Sequence, residues 1–185
     1  MAVANVVDMM KVGGYMVMNP TTPDSSSRSK GGTEIGVLED FELIPIETHS
    51  YLEAEEYNTH VNGLVTLRGW AGAFLLRSHD NDAYSAVYDS GDLVTGTASG
   101  KTLIKPALKS GGKWLTDRAK KFLFVPDEPD QHPGVLFMNA ILFPEEAARI
   151  KHQLNIQWGF PLVFKGFPDA DGFSVQWGRL EDMTV

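Results

Sequence analysis

The chain has 185 residues, 43% hydrophobic and 22% charged, which is ordinary for one globular domain and too apolar for general disorder. Its 24 acidic and 16 basic residues give a net charge of −8, which argues against a free-standing nucleic-acid binder because affinity for phosphate needs clustered lysine and arginine. The absence of cysteine excludes disulfides and thiolate metal sites and favours a reducing compartment.

The start of the chain favours a protein that does not enter a membrane. No run approaches the roughly 18 apolar residues of a membrane span. Residues 1–18 are apolar and methionine-rich, but Asp8 and Lys11 interrupt them and no basic start precedes them. We therefore expect no membrane partner and no secretion. A short helix followed by a strand at residues 15–18 is the favoured local structure.

The next segments predict one strand between two long polar stretches. Residues 19–32 hold two prolines and four serines, which predicts a mobile loop, so that residues 1–32 form an N-terminal arm. Residues 35–46 predict a strand, with Pro45 ending it or marking an edge. Residues 47–62 are polar and acidic, and we expect a long loop there.

The middle of the chain predicts short strands and one helix. Residues 64–68 and 73–76 favour strands, with a bulge or bend at the intervening Gly69 and Gly72. Residues 80–89 favour a short helix, because an aspartate or asparagine can cap it and its apolar residues fall at helical spacing. Residues 91–112 are loop-like, with a candidate strand at 102–104.

The last third alternates apolar and polar residues, as strands with one buried face do. Strands are predicted at residues 122–125, 135–143, 154–164 and 173–178, and a helix at 144–152. A turn containing Pro168, Asp169 and Asp171-Gly172 is expected to join the final two strands as a hairpin. The fold class is therefore mainly β, a β-sandwich or partly closed barrel with one or two short α-helices, in a single domain over residues 1–185.

Two segments resemble ligand-binding loops, and both depart from the pattern. Residues 96–102 resemble a phosphate loop, but Thr95 stands where the first glycine is needed. Residues 169–172 resemble part of a calcium loop, but Phe167 and Gly178 stand where oxygen ligands are needed. A surface loop and a hairpin turn are the favoured interpretations.

No constellation of catalytic or metal-binding residues stands out. His49 and His60 could bind a metal with Glu53 or Glu56, yet loop histidines are usually only solvated. The serines cluster in a flexible tract and no nucleophile elbow is present. The four tryptophans could stack on bases or sugars, although Trp158 and Trp177 fit core positions better. We expect no catalytic residue, no metal and no cofactor.

The order of these segments resembles the tail tube (major tail) proteins of long-tailed bacteriophages. Three places carry the resemblance: GTEIGVLEDF at 32–41; the acidic loop, strand pair and short helix that follow; and residues 122–178, with HPGVLF at 132–137, WGFPLVF at 158–164, FPD at 167–169 and GF at 172–173. It is a pattern of strands and turns without an invariant signature. Residues 91–121 are longer and more basic than that pattern requires and form a candidate insertion.

This resemblance implies a mechanical function without enzymatic activity. Copies of the chain would close into rings, six per ring, and the rings would stack into a hollow tube in the virion tail after synthesis in the host cytoplasm. The partners would be other copies and other tail proteins, and DNA would pass through an acidic lumen without specific binding. The loop at 47–62 would reach a neighbour, which makes its polar residues the candidate assembly site: Glu47, Glu53, Glu55, Glu56, Tyr57 and His60.

Three alternatives remain open from sequence. The chain could be a single-stranded nucleic-acid-binding barrel that uses its tryptophans and the basic run at residues 101–121. It could be an enzyme that holds a nucleotide on the loop at 95–102. It could also be another virion component, such as a decoration or tail-terminator protein, because related β folds recur in such particles.

Overall fold

A computed structural model describes residues 13–54, 59–77, 91–95, 102–106, 119–144 and 159–185. In these ranges the chain forms β1 (Gly14–Met18), β2 (Thr33–Ala54), β3 (Thr59–Leu76), β4 (Gly91–Thr95), β5 (Thr102–Pro106), β6 (Lys120–Pro126), β7 (Gly134–Pro144), β8 (Phe160–Phe167), β9 (Val175–Gly178) and a 3₁₀ turn at Leu180–Asp182. The mainly β expectation is confirmed. The helices predicted at 80–89 and 144–152 lie outside the described residues, except that Pro144 ends β7.

Six strands close into an antiparallel barrel. Their order is β6-β1-β2-β3-β8-β7, and a further pairing of β6 with β7 completes the circle. The expected sandwich is not what the described strands form, because two stacked sheets would leave the β6–β7 pairing unmade. Strands β4 and β5 make a separate two-stranded sheet, which lies within the candidate insertion.

Phenylalanine fills the barrel. Alternate residues along the strands point inward, as the period of two requires. Phe41 stacks on Phe124 with ring centroids 4.1 Å apart, and Phe164 meets the edge of Phe137 at 4.2 Å. Burial of each such side chain stabilises the fold by about 1.5–3 kcal/mol. The inner core also includes these buried side chains: Met16, Ile35, Leu38, Leu43, Phe74, Leu76, Phe122, Val135, Ala140 and Leu162.

A second apolar cluster lies on the outer face of β1, β6 and β7. Leu123, Val125 and Leu136 are buried there beneath Leu180 and Met183 of the C-terminal segment. The run FLFV in β6 is continuously apolar because its residues are buried on both faces, the even positions inside the barrel and the odd ones outside. Gln176 holds the segment down: its amide donates to the Thr184 carbonyl at 3.1 Å and accepts from the Thr184 N–H at 3.2 Å.

Residues 19–32 form a compact connection between β1 and β2, in place of the expected mobile loop. The N–H groups of Thr21 and Thr22 both donate to the carbonyl of Lys30, and the Lys30 ammonium donates to the carbonyl of Ser25. Arg28 lies 4.5 Å from the centre of the Tyr15 ring. Backbone hydrogen bonds and the Lys30 ammonium thus hold together a segment that has too few apolar residues to form a core.

The expected hairpin between the last two strands does not form. Ala140 of β7 pairs with Lys120 on one side and Gly166 on the other, and Phe137 pairs with Phe122 and Val175. Strands β8 and β9 therefore follow one another along the same edge of β7. Asp169 closes the loop between them, because its carboxylate accepts from the N–H groups of Asp171 and Phe173.

The predicted bend at Gly69 and Gly72 is also wrong. Pairing with β2 is regular across both glycines, and β3 skips a residue instead at Thr66 and at Val61. Gly72 serves packing: a Cβ there would lie 2.5 Å from the Phe164 phenyl ring, whereas a Cβ at Gly69 would meet nothing within 4 Å.

Gly72→Ala should therefore destabilise the barrel by about 1–3 kcal/mol, because the added methyl group displaces Phe164 from the core. Gly69→Ala, in the same strand, should leave the free energy of unfolding unchanged or slightly raised. Urea unfolding followed by fluorescence measures both. Equal effects of the two substitutions would contradict the packing role of Gly72.

The second cluster should be needed for full stability. Met183 is 8% exposed and Val185 is 39% exposed. We expect Met183→Ala to cost about 2 kcal/mol, near the low end for buried methionine because a chain end can adjust, and Val185→Ala to cost little. Thermal melts of the two variants test this, and a stable Met183→Ala protein would mean that the segment does not seal the cluster.

Candidate assembly arm

Strands β2 and β3 continue well beyond the barrel. Strand β1 pairs with β2 only over Thr33–Leu38, and β8 pairs with β3 only over Ala71–Leu76. Residues 45–54 and 59–70, here named the arm, pair with each other and with no other described strand. Ten residues of extended chain give the arm a length of about 30 Å.

The expectation of a long loop at residues 47–62 is therefore wrong for the described residues. Residues 47–54 and 59–62 are strand, and residues 55–58 lie outside the described part of the chain. The polar composition favours a loop because it lacks the apolar period of a half-buried strand, and residues 47–50 are all exposed. A ladder of backbone hydrogen bonds needs no buried face, so the segment still forms a ribbon. Pro45 does not end β2: it is the first residue of the arm and pairs with Trp70 of β3.

The arm exposes apolar side chains on both faces near its middle. Leu64 is 68% exposed and Val65 42% exposed, and as neighbours in a strand they point to opposite faces. Ile44, at the base of the arm, is 39% exposed. A two-stranded ribbon is marginal in water by itself. These side chains are therefore suited to contact with another surface.

The two outer edges of the arm lie beyond the β-ladders of the barrel. Among the described strands, none pairs with the outer edge of β2 beyond Leu38 or with that of β3 before Ala71. Such edges are templates for pairing with another chain. The two edges are antiparallel to each other, so arms placed side by side could extend one antiparallel sheet.

Three of the six predicted assembly residues lie on described strands. Glu47 pairs across the arm with Arg68, and the Arg68 guanidinium donates to its carboxylate at 2.8 Å. Glu53 and His60 are direct cross-strand neighbours in the backbone ladder. Glu55, Glu56 and Tyr57 fall outside the described residues. The structure thus places Glu47, Glu53 and His60 on one ribbon rather than in a loop.

Sequence reasoning missed an exposed aromatic pair. Trp177 is expected in the core but is 56% exposed, and Phe173, in the loop before β9, is 64% exposed. The indole of Trp177 meets that of Trp70 edge-on at 5.6 Å, at the base of the arm. Trp158 lies outside the described residues. Alternation correctly predicts the strand, but it does not reveal that β9 borders the end of the barrel wall.

The described residues give little support to the other candidate binding sites. Thr95 pairs with Thr102, so a second strand follows residues 96–101, where a phosphate loop would need a helix. A 530 Å³ cleft between the β1–β2 connection and the C-terminal segment is lined by both signs of charge, including Lys30, Arg179 and Asp130. No group of three histidine, aspartate or glutamate residues in the described ranges could hold a metal ion.

The ion pair between Glu47 and Arg68 should be detectable from the pKa of Glu47. The hydrogen bond from Arg68 lowers the pKa of Glu47 below its ordinary value. Arg68→Gln should return that pKa to the ordinary range in an NMR titration, whereas Arg179→Gln should leave it unchanged. The ion pair contributes to folding stability at pH values above the ordinary pKa of glutamate. This contribution is lost as the pH falls through the lowered pKa of Glu47. Because both groups are exposed, the melting temperature should hardly change.

Comparison with known proteins yields no family for this chain. A scan against models of protein families finds no match, and a search of curated proteins finds none either. No helix in the described ranges is long and apolar enough to cross a membrane.

Proposed function

We propose that this chain is a structural protein that assembles into stacked rings forming the tail tube of a long-tailed bacteriophage. The observation that carries the proposal is the arm. Six strands close a barrel, yet two of them extend as a ribbon whose outer edges pair with no other described strand and whose Leu64 and Val65 are exposed. Such a ribbon gains most of its stability by packing against a neighbouring chain. In a ring of identical copies, each ribbon has a second copy as that neighbour.

The dimensions of the arm favour a role in contacting neighbouring copies rather than in forming the wall of the lumen. Six copies that contribute two arm strands each would make a barrel of twelve strands. Porins need roughly 16–18 strands to leave an aqueous channel, so twelve strands would be too narrow for a DNA duplex. In this proposal other surfaces line the lumen, and the arms connect neighbouring copies across about 30 Å.

Replacement of residues 47–62 by a short Gly-Ser link tests the proposal. The barrel core lies outside this segment, so the variant should keep its thermal unfolding transition. Negative-stain electron microscopy of the concentrated wild-type protein should reveal rings or tubes of uniform width, and the variant should form none. Leu64→Ser should weaken assembly in the same assay, with Phe173→Ser as a control for loss of an exposed apolar group outside the arm. Tubes of normal length from the link variant would rule out a role for the arm.

Exposed Trp177 favours one alternative, a barrel that binds single-stranded nucleic acid by stacking. The net charge of −8 opposes it. Filter binding at increasing salt separates the two functions, because a binder must lose affinity steeply as salt rises. Isolated rings that do not stack would instead favour a terminator or decoration protein.

A further inference from the structure

The loop between β8 and β9 contains the one aspartate–glycine pair of the sequence, Asp171 followed by Gly172. The Gly172 N–H donates to the Asp169 carbonyl at 3.2 Å, which defines a β-turn with Ala170 and Asp171 at its centre. Asp171, Gly172 and Phe173 are all exposed. This pair belongs neither to the barrel core nor to the arm, so its chemistry is decided by the turn alone.

The two aspartates of this loop differ in their hydrogen bonding. One carboxylate oxygen of Asp169 accepts from the N–H groups of Asp171 and Phe173, at 3.0 and 2.8 Å. Among the described residues, none donates a hydrogen bond to the carboxylate of Asp171. The side chain of Asp169 is therefore held in place, whereas that of Asp171 can rotate toward the main chain.

The peptide group between Asp171 and Gly172 can also reorient easily. Its rotation changes mainly ψ of Asp171 and φ of Gly172, and glycine adopts φ of either sign without steric cost. The φ of Gly172 is already +87°, and a Cβ added there would meet nothing within 4 Å, so no described neighbour blocks the movement. The bond that has to open is the 3.2 Å hydrogen bond from Gly172 to the Asp169 carbonyl.

We infer that Asp171 is a site of spontaneous isomerisation to isoaspartate in the folded protein. The Gly172 nitrogen attacks the side-chain carbon of the protonated Asp171 carboxyl group. A C–N bond forms, and the carboxyl OH leaves with the amide proton as water, which yields a cyclic succinimide. Water then opens the ring, and its addition to the main-chain carbonyl gives an isoaspartate whose main chain runs through Cβ. The reaction needs no oxidant and no cofactor, and it does not depend on assembly of the chain.

Isomerisation lengthens the main chain inside the loop by a carbon atom. The Phe173 N–H donates to the Asp169 carboxylate and the Asp169 N–H donates to the Phe173 carbonyl, both at 2.8 Å. An additional carbon atom between these two residues moves their bonded groups apart, because the loop that joins them is short. We expect both hydrogen bonds to be lost, while β9 keeps its ladder with β7.

Ageing of the folded protein tests the inference. Purified protein is kept for weeks at physiological temperature, checked by circular dichroism, and digested with trypsin. The tryptic peptide of residues 166–179 contains both aspartates of the loop. We expect a second chromatographic peak of unchanged mass, which fragmentation assigns to isoaspartate at Asp171. The isoaspartate fraction there should exceed that at Asp169 at least about tenfold, because Asp169 is held and the residue after it carries a side chain.

Two variants are the matched controls. Asp171→Glu should remove the second peak, because glutamate would have to close a larger ring. Gly172→Asn should slow its appearance at least about tenfold, since asparagine tolerates positive φ but its side chain restricts rotation of the peptide group. An isoaspartate fraction at Asp171 no greater than that at Asp169, or a second peak that persists in Asp171→Glu, would overturn the inference.

Hydrogen exchange measures the effect on the loop. The Phe173 N–H should exchange faster in aged wild-type protein than in equally aged Asp171→Glu protein, because its bond to the Asp169 carboxylate is lost. Equal exchange in the presence of isoaspartate would overturn the expected opening of the loop. Each of these outcomes is read from the monomer, so failure of this inference and failure of the proposed function are distinguishable.

Discussion

The phenyl ring of Phe164 is the contact on which the barrel depends. It is fully buried on β8 and meets rings from four other strands: Phe41 of β2, Phe74 of β3, Phe122 of β6 and Phe137 of β7. Gly72 gives it room, since any side chain there would occupy the same space. Phe164 thus links β8 not only to its ladder partners β3 and β7 but also to β2 and β6, with which β8 has no backbone pairing.

Closure of the barrel determines which strand edges remain without a partner among the described strands. Once β6 pairs with β7, the six barrel strands form a closed circle, and among the described strands the longest stretch paired on one side only is the part of β2 and β3 that leaves the barrel. The closed barrel and the two-stranded arm thus share the same pair of strands. Force on the arm is carried directly into the barrel because β2 and β3 continue unbroken from one to the other.

The sequence predicts the strands better than it predicts their partners. Alternation located β7 and β9, and turn residues located the Asp169 loop, because both signals are local. The sequence pattern does not reveal that β8 and β9 follow one another along the same edge of β7, because a hairpin and a collinear arrangement can use the same turn. The arm was taken for a loop for a related reason: with Glu47, Thr48 and Ser50 all exposed, the apolar period that marks a strand is missing, and only the ladder reveals it.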